Sequence, residues 1–262
     1  MRSLAIANQK GGAAKTTTTV NLAAALAESG RRVLVIDLDP QGNATDWLGA
    51  DGATRGVYDF LTEALDARDL AVPSTAAGVD ILPATRSLQG IERALAREVG
   101  AELTLQRKLK PLADAAAWDY VLLDTPPTMG LLTLNGLTAV PEVIVPVEAH
   151  VMALIGVAQL METMKTVRER LNPPLALAGV VACRVDGRTR HSLEVVERLR
   201  EALGASVYRA EIRENIRLAE APSFRQSILA YDTRSAGAAD YRALAAEVIA
   251  QEVPQTVLRA AE

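Results

Sequence analysis

The chain of 262 residues is poor in cysteine, in aromatic side chains and in lysine. Its one cysteine, Cys183, excludes an intramolecular disulfide and points to a reducing compartment. Aromatic residues make up 3% against 49% hydrophobic, so a core has to be built from Leu, Val, Ile and Ala. That apolar content at this length suits one domain spanning residues 1–262. There is no run of eighteen apolar residues and no basic segment leading into a short apolar one. Neither a membrane-spanning helix nor a secretory leader is therefore expected. Lysine is scarce: five accompany 23 arginines, and two of the five lie five residues apart.

Those two lysines frame the stretch Gln9-Lys10-Gly11-Gly12-Ala13-Ala14-Lys15-Thr16-Thr17. The apolar run Leu4-Ala5-Ile6-Ala7 precedes it, and an amphipathic stretch from Val20 to Leu26 follows. Strand, glycine-containing loop and helix is the setting that a phosphate-binding P-loop requires. Backbone N–H groups at the helix start would cradle phosphate oxygens, and the helix dipole favours their charge. Lys15 would neutralise the β- and γ-phosphates, and the Thr16 hydroxyl would ligate Mg²⁺. The pattern G-x-x-x-x-G-K-[ST] is not met, because Gln9 and Ala14 stand where its glycines belong. The deviant form K-G-G-x-x-K-[ST]-[ST] is met, from Lys10 to Thr17. A Cβ at Ala14 is tolerated there only at negative φ. The plainer alternative is a Gly-Gly turn with two solvated lysines.

Two further apolar runs end in acids. Arg32 to Ile36 leads into Asp37-Leu38-Asp39-Pro40-Gln41-Gly42-Asn43, and Tyr120 to Leu123 leads into Asp124-Thr125-Pro126-Pro127. Ligands bind at the carboxyl ends of strands in open α/β sheets. Taken singly, each acid also reads as a strand-end turn or a helix cap. Asp39 lies two residues beyond Asp37 on extended backbone, which points both to one side.

Periodicity predicts strands over 3–7, 32–37, 79–82, 120–124, 143–147 and 177–182, with a short one near 207–208. Helices are predicted over 15–29, 57–65, 88–96, 103–116, 131–139, 152–171, 192–203 and 236–253. The alternation implies right-handed βαβ units, hence an α/β fold with a mostly parallel twisted sheet and helices on both faces. Residues 66–78, rich in Ala, Asp and Pro, read as a surface excursion.

With these motifs in place, the sequence resembles the ParA/Soj family of partition ATPases, in the deviant-Walker group that also holds the MinD proteins. Residues Asn8 to Asn43, Asp119 to Pro127 and Ile216 to Arg234 carry the similarity. The segment Asn215-Ile216-Arg217-Leu218-Ala219-Glu220-Ala221-Pro222-Ser223, with Tyr231-Asp232 and Ser235-Ala236-Gly237-Ala238, is particular to the ParA-like members. A single cysteine does not suit the iron-protein branch of the group. The resemblance implies a P-loop NTPase fold with a deviant Walker A motif, ATP and Mg²⁺ as cofactors, and slow hydrolysis to ADP and phosphate. It makes Lys10, Gly11, Gly12, Ala13, Ala14, Lys15, Thr16 and Thr17 the nucleotide-binding loop, with Thr17 on the α-phosphate and Lys10, Lys15 and Asp39 catalytic. Thr16, Asp37 and Asp124 would serve the metal, while Asp39 would orient the attacking water. Thr125-Pro126-Pro127 would sense the γ-phosphate. Lys10 is implied to reach the partner's phosphates across an ATP-dependent nucleotide-sandwich homodimer. Residues after Ala182-Cys183-Arg184 and the loop 212–215 would border the base, with Cys183 as a small buried filler. One departure is Ile212-Arg213-Glu214-Asn215, where the family more often has Ile-Pro-Arg-Asn.

A net charge of −4 argues against nucleic-acid binding, but its distribution does not. Nine arginines against seven acids fall between Arg184 and Arg225. On composition this is equally a solvated mixed-charge face. The resemblance puts a non-specific DNA surface here, with Arg188 and Arg217 as the best matches; Arg190, Arg213 and Arg225 follow from local charge. Phosphate contacts without base readout are sequence-independent and salt-sensitive, and dimerisation would double the patch. The implied function is partition: ATP-bound dimers on nucleoid DNA in the cytoplasm, released when a ParB-like centromere-binding protein stimulates hydrolysis. Opening at the first strand, the chain is similar to the short partition ATPases that do not act as operator repressors. The alternatives are an orphan ParA-like ATPase positioning another cargo, a MinD-like ATPase on a membrane, or a nucleotide-binding scaffold without turnover. No membrane association is expected, since the end from Val253 to Glu262 has one arginine and a proline rather than a basic amphipathic helix.

Overall fold

In the computed structural model, residues 1–150 and 153–252 are described. One sheet contains β1 (Arg2–Ile6), β2 (Val33–Asp37), β3 (Val72–Pro73), β4 (Val79–Leu82), β5 (Tyr120–Asp124), β6 (Glu142–Glu148), β7 (Ala176–Val185) and β8 (Val207–Arg213). Its order is β3-β4-β2-β5-β1-β6-β7-β8, parallel except for β3, which pairs antiparallel with β4 at one edge. Every residue of β2 and β5 is buried, as expected of strands covered on both sides. Alternate residues feed two cores: Leu34, Ile36, Val121 and Leu123 enter one, and Val33, Val35, Tyr120 and Leu122 the other.

The helices are α1 (Lys15–Glu28), α2 (Asn43–Trp47), α3 (Val57–Thr62), α4 (Ala67–Leu70), α5 (Ile91–Leu95), α6 (Thr104–Ala115), α7 (Leu131–Ala139), α8 (Ala153–Arg170), α9 (Arg190–Leu203), α10 (Ile216–Glu220), α11 (Ile228–Tyr231) and α12 (Ala236–Ala250). Helix α1 is alanine-rich and buried from Thr18 to Leu26, because it lies between the sheet and α12. Polar side chains fix where the later helices begin. Thr189, Asn215 and Ser235 each accept a first-turn N–H, at α9, α10 and α12.

The predicted strands at 79–82 and 120–124 and the helix at 131–139 agree with the structure. The strand at 207–208 extends to Arg213, because β8 pairs along β7. The excursion 66–78 holds structure of its own: Asp66 caps α4 by accepting the Arg68 N–H, and β3 pairs with β4. Helices α2, α10 and α11 are too short to leave a helical period in the sequence. The predicted ends at Met152 and Val253, and the segment to Glu262, lie outside the described residues. No described helix is long and apolar enough to cross a membrane.

Candidate nucleotide-binding site

The loop between β1 and α1 opens at the centre of the sheet, between β5 and β6, where ligands bind in open α/β folds. Asn8 fixes its start: Nδ2 donates to the Pro146 carbonyl at 2.8 Å, and Oδ1 accepts the Lys10 N–H at 3.0 Å. Gly12 is left-handed at φ 75°, and a Cβ added at Gly11 or Gly12 would meet nothing within 4 Å. Ala14 is left-handed as well, at φ 63° and ψ 26°, which corrects the expectation of a negative φ. Alternating left- and right-handed residues turn successive N–H groups toward one point, and Ala14 is the last such turn before the helix. Its Cβ makes that conformation cost about 1–2 kcal/mol. The first helical bond runs from Thr18 N–H to the Ala14 carbonyl, so the N–H groups of Lys15, Thr16 and Thr17 precede the ladder.

Lys15 is buried, and its Nζ donates to the Lys10 carbonyl at 3.3 Å. Burial lowers its pKa, while the charges of Asp124 and Asp39 oppose that shift. Among the described residues it forms no ion pair within contact distance. A buried ammonium held by one carbonyl fits an anionic ligand. The Thr16 hydroxyl donates to Asp124 Oδ2 at 2.7 Å, and the Thr19 hydroxyl is shared between Asp124 Oδ1 and the Lys15 carbonyl, both at 3.0 Å. Asp124 is fully buried; burial raises its pKa, the two threonine hydroxyls lower it, and the Asp39 charge raises it again. Thr16 and Asp124 therefore form an oxygen pair of the kind that suits a hard divalent cation.

Asp39 follows β2 in a turn, with Gly42 N–H donating to its carbonyl and Gln41 N–H to its Oδ1, both at 2.9 Å. Pro40 supplies the fixed φ of such a turn, and Gly42 its left-handed exit at φ 68°. Lys15, Thr16, Asp39 and Asp124 are thus close enough for their charges and hydrogen bonds to act on one another. Asp37 turns away to α2: its Oδ2 accepts both the N–H and the hydroxyl of Thr45, and its Oδ1 accepts the Asp39 N–H. Burial first, and the Asp124 charge second, raise the pKa of Asp37.

The side chain of Lys10 is half exposed, and its Nζ lies 3.2 Å from Glu148 Oε2. Arg184 NH1 lies 3.2 Å from the other oxygen of Glu148. Glu148, Thr45 and Thr19 were not singled out from the sequence. Glu148 carries the same signal as Asp37 and Asp124, an acid at the end of an apolar strand. Thr19 sits three residues after Thr16, on the same helix face.

Beyond Ala14 and Thr17 opens a cavity of about 330 Å³, lined also by Cys183, Arg184, Asn215 and Tyr241. Its lining includes Arg184 and the loop 212–215, the residues expected from the sequence to border a base. Cys183 is fully buried at its wall, and burial pushes the thiol up to about 12. The Tyr241 hydroxyl is buried in the same wall. Ala13, within the loop, is buried.

The five candidate DNA arginines are all exposed, and each is paired with an acid of its own chain. Arg188 holds Asp186, Arg190 holds Glu194, Arg213 holds Asp240, Arg217 holds Glu220 and Arg225 holds Asp51. Arg188 and Arg190 follow the carboxyl end of β7, Arg213 is the last residue of β8 and Arg217 follows it. Arg225 stands apart against α2: the Trp47 indole N–H donates to the Gln226 carbonyl at 2.7 Å beside it.

A family described as AAA domain matches residues 1–177. The chain is 43% identical over 249 residues to the sporulation initiation inhibitor protein Soj of Bacillus subtilis, covering 94% of this chain and 98% of that one. It is 47% identical over 252 residues to the chromosome-partitioning ATPase Soj of Thermus thermophilus, covering 96% of each. Among solved structures, it resembles a Mycobacterium smegmatis protein described as cobyrinic acid a,c-diamide synthase with bound ATP analog and magnesium. That likeness has a TM-score of 0.82 at 38% identity, over 94% of this chain and 93% of that one.

Proposed function

The chain belongs to the ParA/Soj family of partition ATPases, and on that footing we propose that it is a Mg²⁺-dependent ATP switch whose ATP-bound dimer binds DNA without sequence preference. It is carried by the buried Lys15 ammonium, which among the described residues faces no acid in direct contact, beside the Thr16–Asp124 pair. The ATP analog and magnesium bound by the Mycobacterium smegmatis relative support ATP and Mg²⁺ as the ligands here. Thr16 and Asp124 would hold the metal, which would offset phosphate charge. The N–H groups from Gly11 to Thr17 would cradle the phosphates, with the base in the cavity beyond Ala14. Asp39 would orient the attacking water. Asp37, held by Thr45, would shape the loop that carries Asp39.

The exposed Lys10 side chain supports a role toward a second copy. Each active site would gain its last positive donor only in the dimer, so turnover by the monomer would be slow. The arginines from Arg188 to Arg225 would exchange their acids for DNA phosphates. A ParB-like partner would stimulate hydrolysis and release the dimer from nucleoid DNA. Residues 1–262 would act as one ATPase domain, with no membrane contact. Light scattering on Asp39→Ala tests the switch: MgATP is expected to shift it to a dimer and MgADP to leave a monomer. A monomer in both nucleotides contradicts the proposal.

A further inference from the structure

Thr45 is the third residue of α2 and is buried. Its backbone N–H donates to Asp37 Oδ2 at 2.8 Å, and its hydroxyl donates to the same oxygen at 2.7 Å. The same Oγ1 accepts the Ala84 N–H at 2.8 Å. An amide can only donate, so that contact takes a lone pair of the hydroxyl and leaves its single proton for Asp37. With the hydroxyl donating to Asp37, the chain of bonds runs from the segment after β4, through Thr45, to Asp37. The other oxygen of Asp37 accepts the Asp39 N–H at 3.1 Å. One hydroxyl thus ties the ends of β2 and β4 to the start of α2, and Asp39 hangs from that knot.

We propose that Thr45 is a positioning residue for ATP hydrolysis: its hydroxyl holds Asp37, and through it the backbone of Asp39, where the Asp39 carboxylate can direct the attacking water. The assignment rests on the ATPase function proposed above and deepens it. Hydroxyl and methyl have separable jobs. The hydroxyl carries two directed bonds in a buried site, where an unmade bond is expensive, and the methyl adds apolar volume alone. Phosphate binding belongs to Lys15 and the loop after β1. A defect at Thr45 therefore lowers turnover without a matching loss of nucleotide affinity.

Three variants of the full chain test this. Thr45→Ser keeps the hydroxyl, Thr45→Val keeps the shape without it, and Thr45→Ala removes both groups. Phosphate release at saturating MgATP is measured beside the affinity for a fluorescent ATP analogue. Thr45→Ser is expected within about twofold of the unaltered turnover, and Thr45→Val and Thr45→Ala about tenfold or more below it. Analogue affinity is expected to stay within about threefold in all three. Unaltered turnover in Thr45→Val overturns the assignment. So does a Thr45→Ser that falls as far as Thr45→Ala, which would make the methyl decisive. If Thr45→Val does not fold, the Ser and Ala variants decide the matter, since they differ only in the hydroxyl. Parallel loss of affinity and turnover would reduce Thr45 to upkeep of the loop. No turnover in the unaltered chain would overturn the ATPase function itself, an outcome distinct from every variant result.

Discussion

The Lys15 ammonium is held by the backbone carbonyl of Lys10 at 3.3 Å, while the Lys10 side chain turns outward to Glu148 at 3.2 Å. Lys10 therefore serves its own site through the main chain and leaves its ammonium at the surface. Lys10→Ala removes the ammonium and keeps the carbonyl. Nucleotide affinity of the monomer is expected to change by less than about threefold, while turnover falls at least about a hundredfold, the scale of a lost charge-stabilising donor. Phosphate release and titration with a fluorescent ATP analogue check this. Unchanged turnover would remove Lys10 from the chemistry.

Ala14 holds a left-handed backbone that glycine adopts freely. Relief of that strain exceeds the extra chain entropy of glycine, for a net gain of about 0.5–1 kcal/mol. Ala14→Gly should raise Tm by about 2 °C, on the scale for a domain of this size. A lower Tm in calorimetry would show that Ala14 is not strained.

Asp37 and Asp124 both titrate above the ordinary carboxyl range, mainly because they are buried. A carboxyl with a raised pKa binds its proton more tightly when folded. Its stabilisation is complete below the unfolded value near 4 and is lost as pH rises through the folded value. The nucleotide-free chain is therefore expected to melt at higher temperature as pH is lowered from about 8 to about 5, and Asp124→Asn to show a flatter slope. Equal slopes for the two proteins would contradict the assignment of the effect to this cluster.

Cys183 is buried, and its thiol is pushed up to about 12. The thiolate is the reactive form, so the native chain should resist iodoacetamide at neutral pH and react once unfolded in urea. Mass spectrometry that finds fast labelling of the native chain would mean that the wall of the cavity beyond Ala14 opens.

Long apolar runs ending in acids made the parallel sheet and the placement of Lys15, Thr16 and Asp124 legible in the sequence. Asp37 and Asp39 share a spacing that suggested a common direction. Only the structure separates them, because Asp37 is claimed by Thr45 from a five-residue helix that has no period to read. The φ of Ala14 is set by the turn into α1, which a composition argument cannot supply. Charge counting between Arg184 and Arg225 found the arginines. It could not show that the five candidate DNA arginines are each paired with an acid, or that Arg225 sits against Asp51 beyond α2.

ATP is expected to control DNA affinity, which co-sedimentation with long non-specific DNA measures. Binding is expected with MgATP, not with MgADP, and should fall steeply as salt rises. Arg217→Glu should lose that binding while keeping ATP turnover, because it leaves Glu220 without its partner on the same surface. Equal DNA binding in both nucleotides, or none with MgATP at low salt, would mean that ATP does not control DNA affinity in this protein.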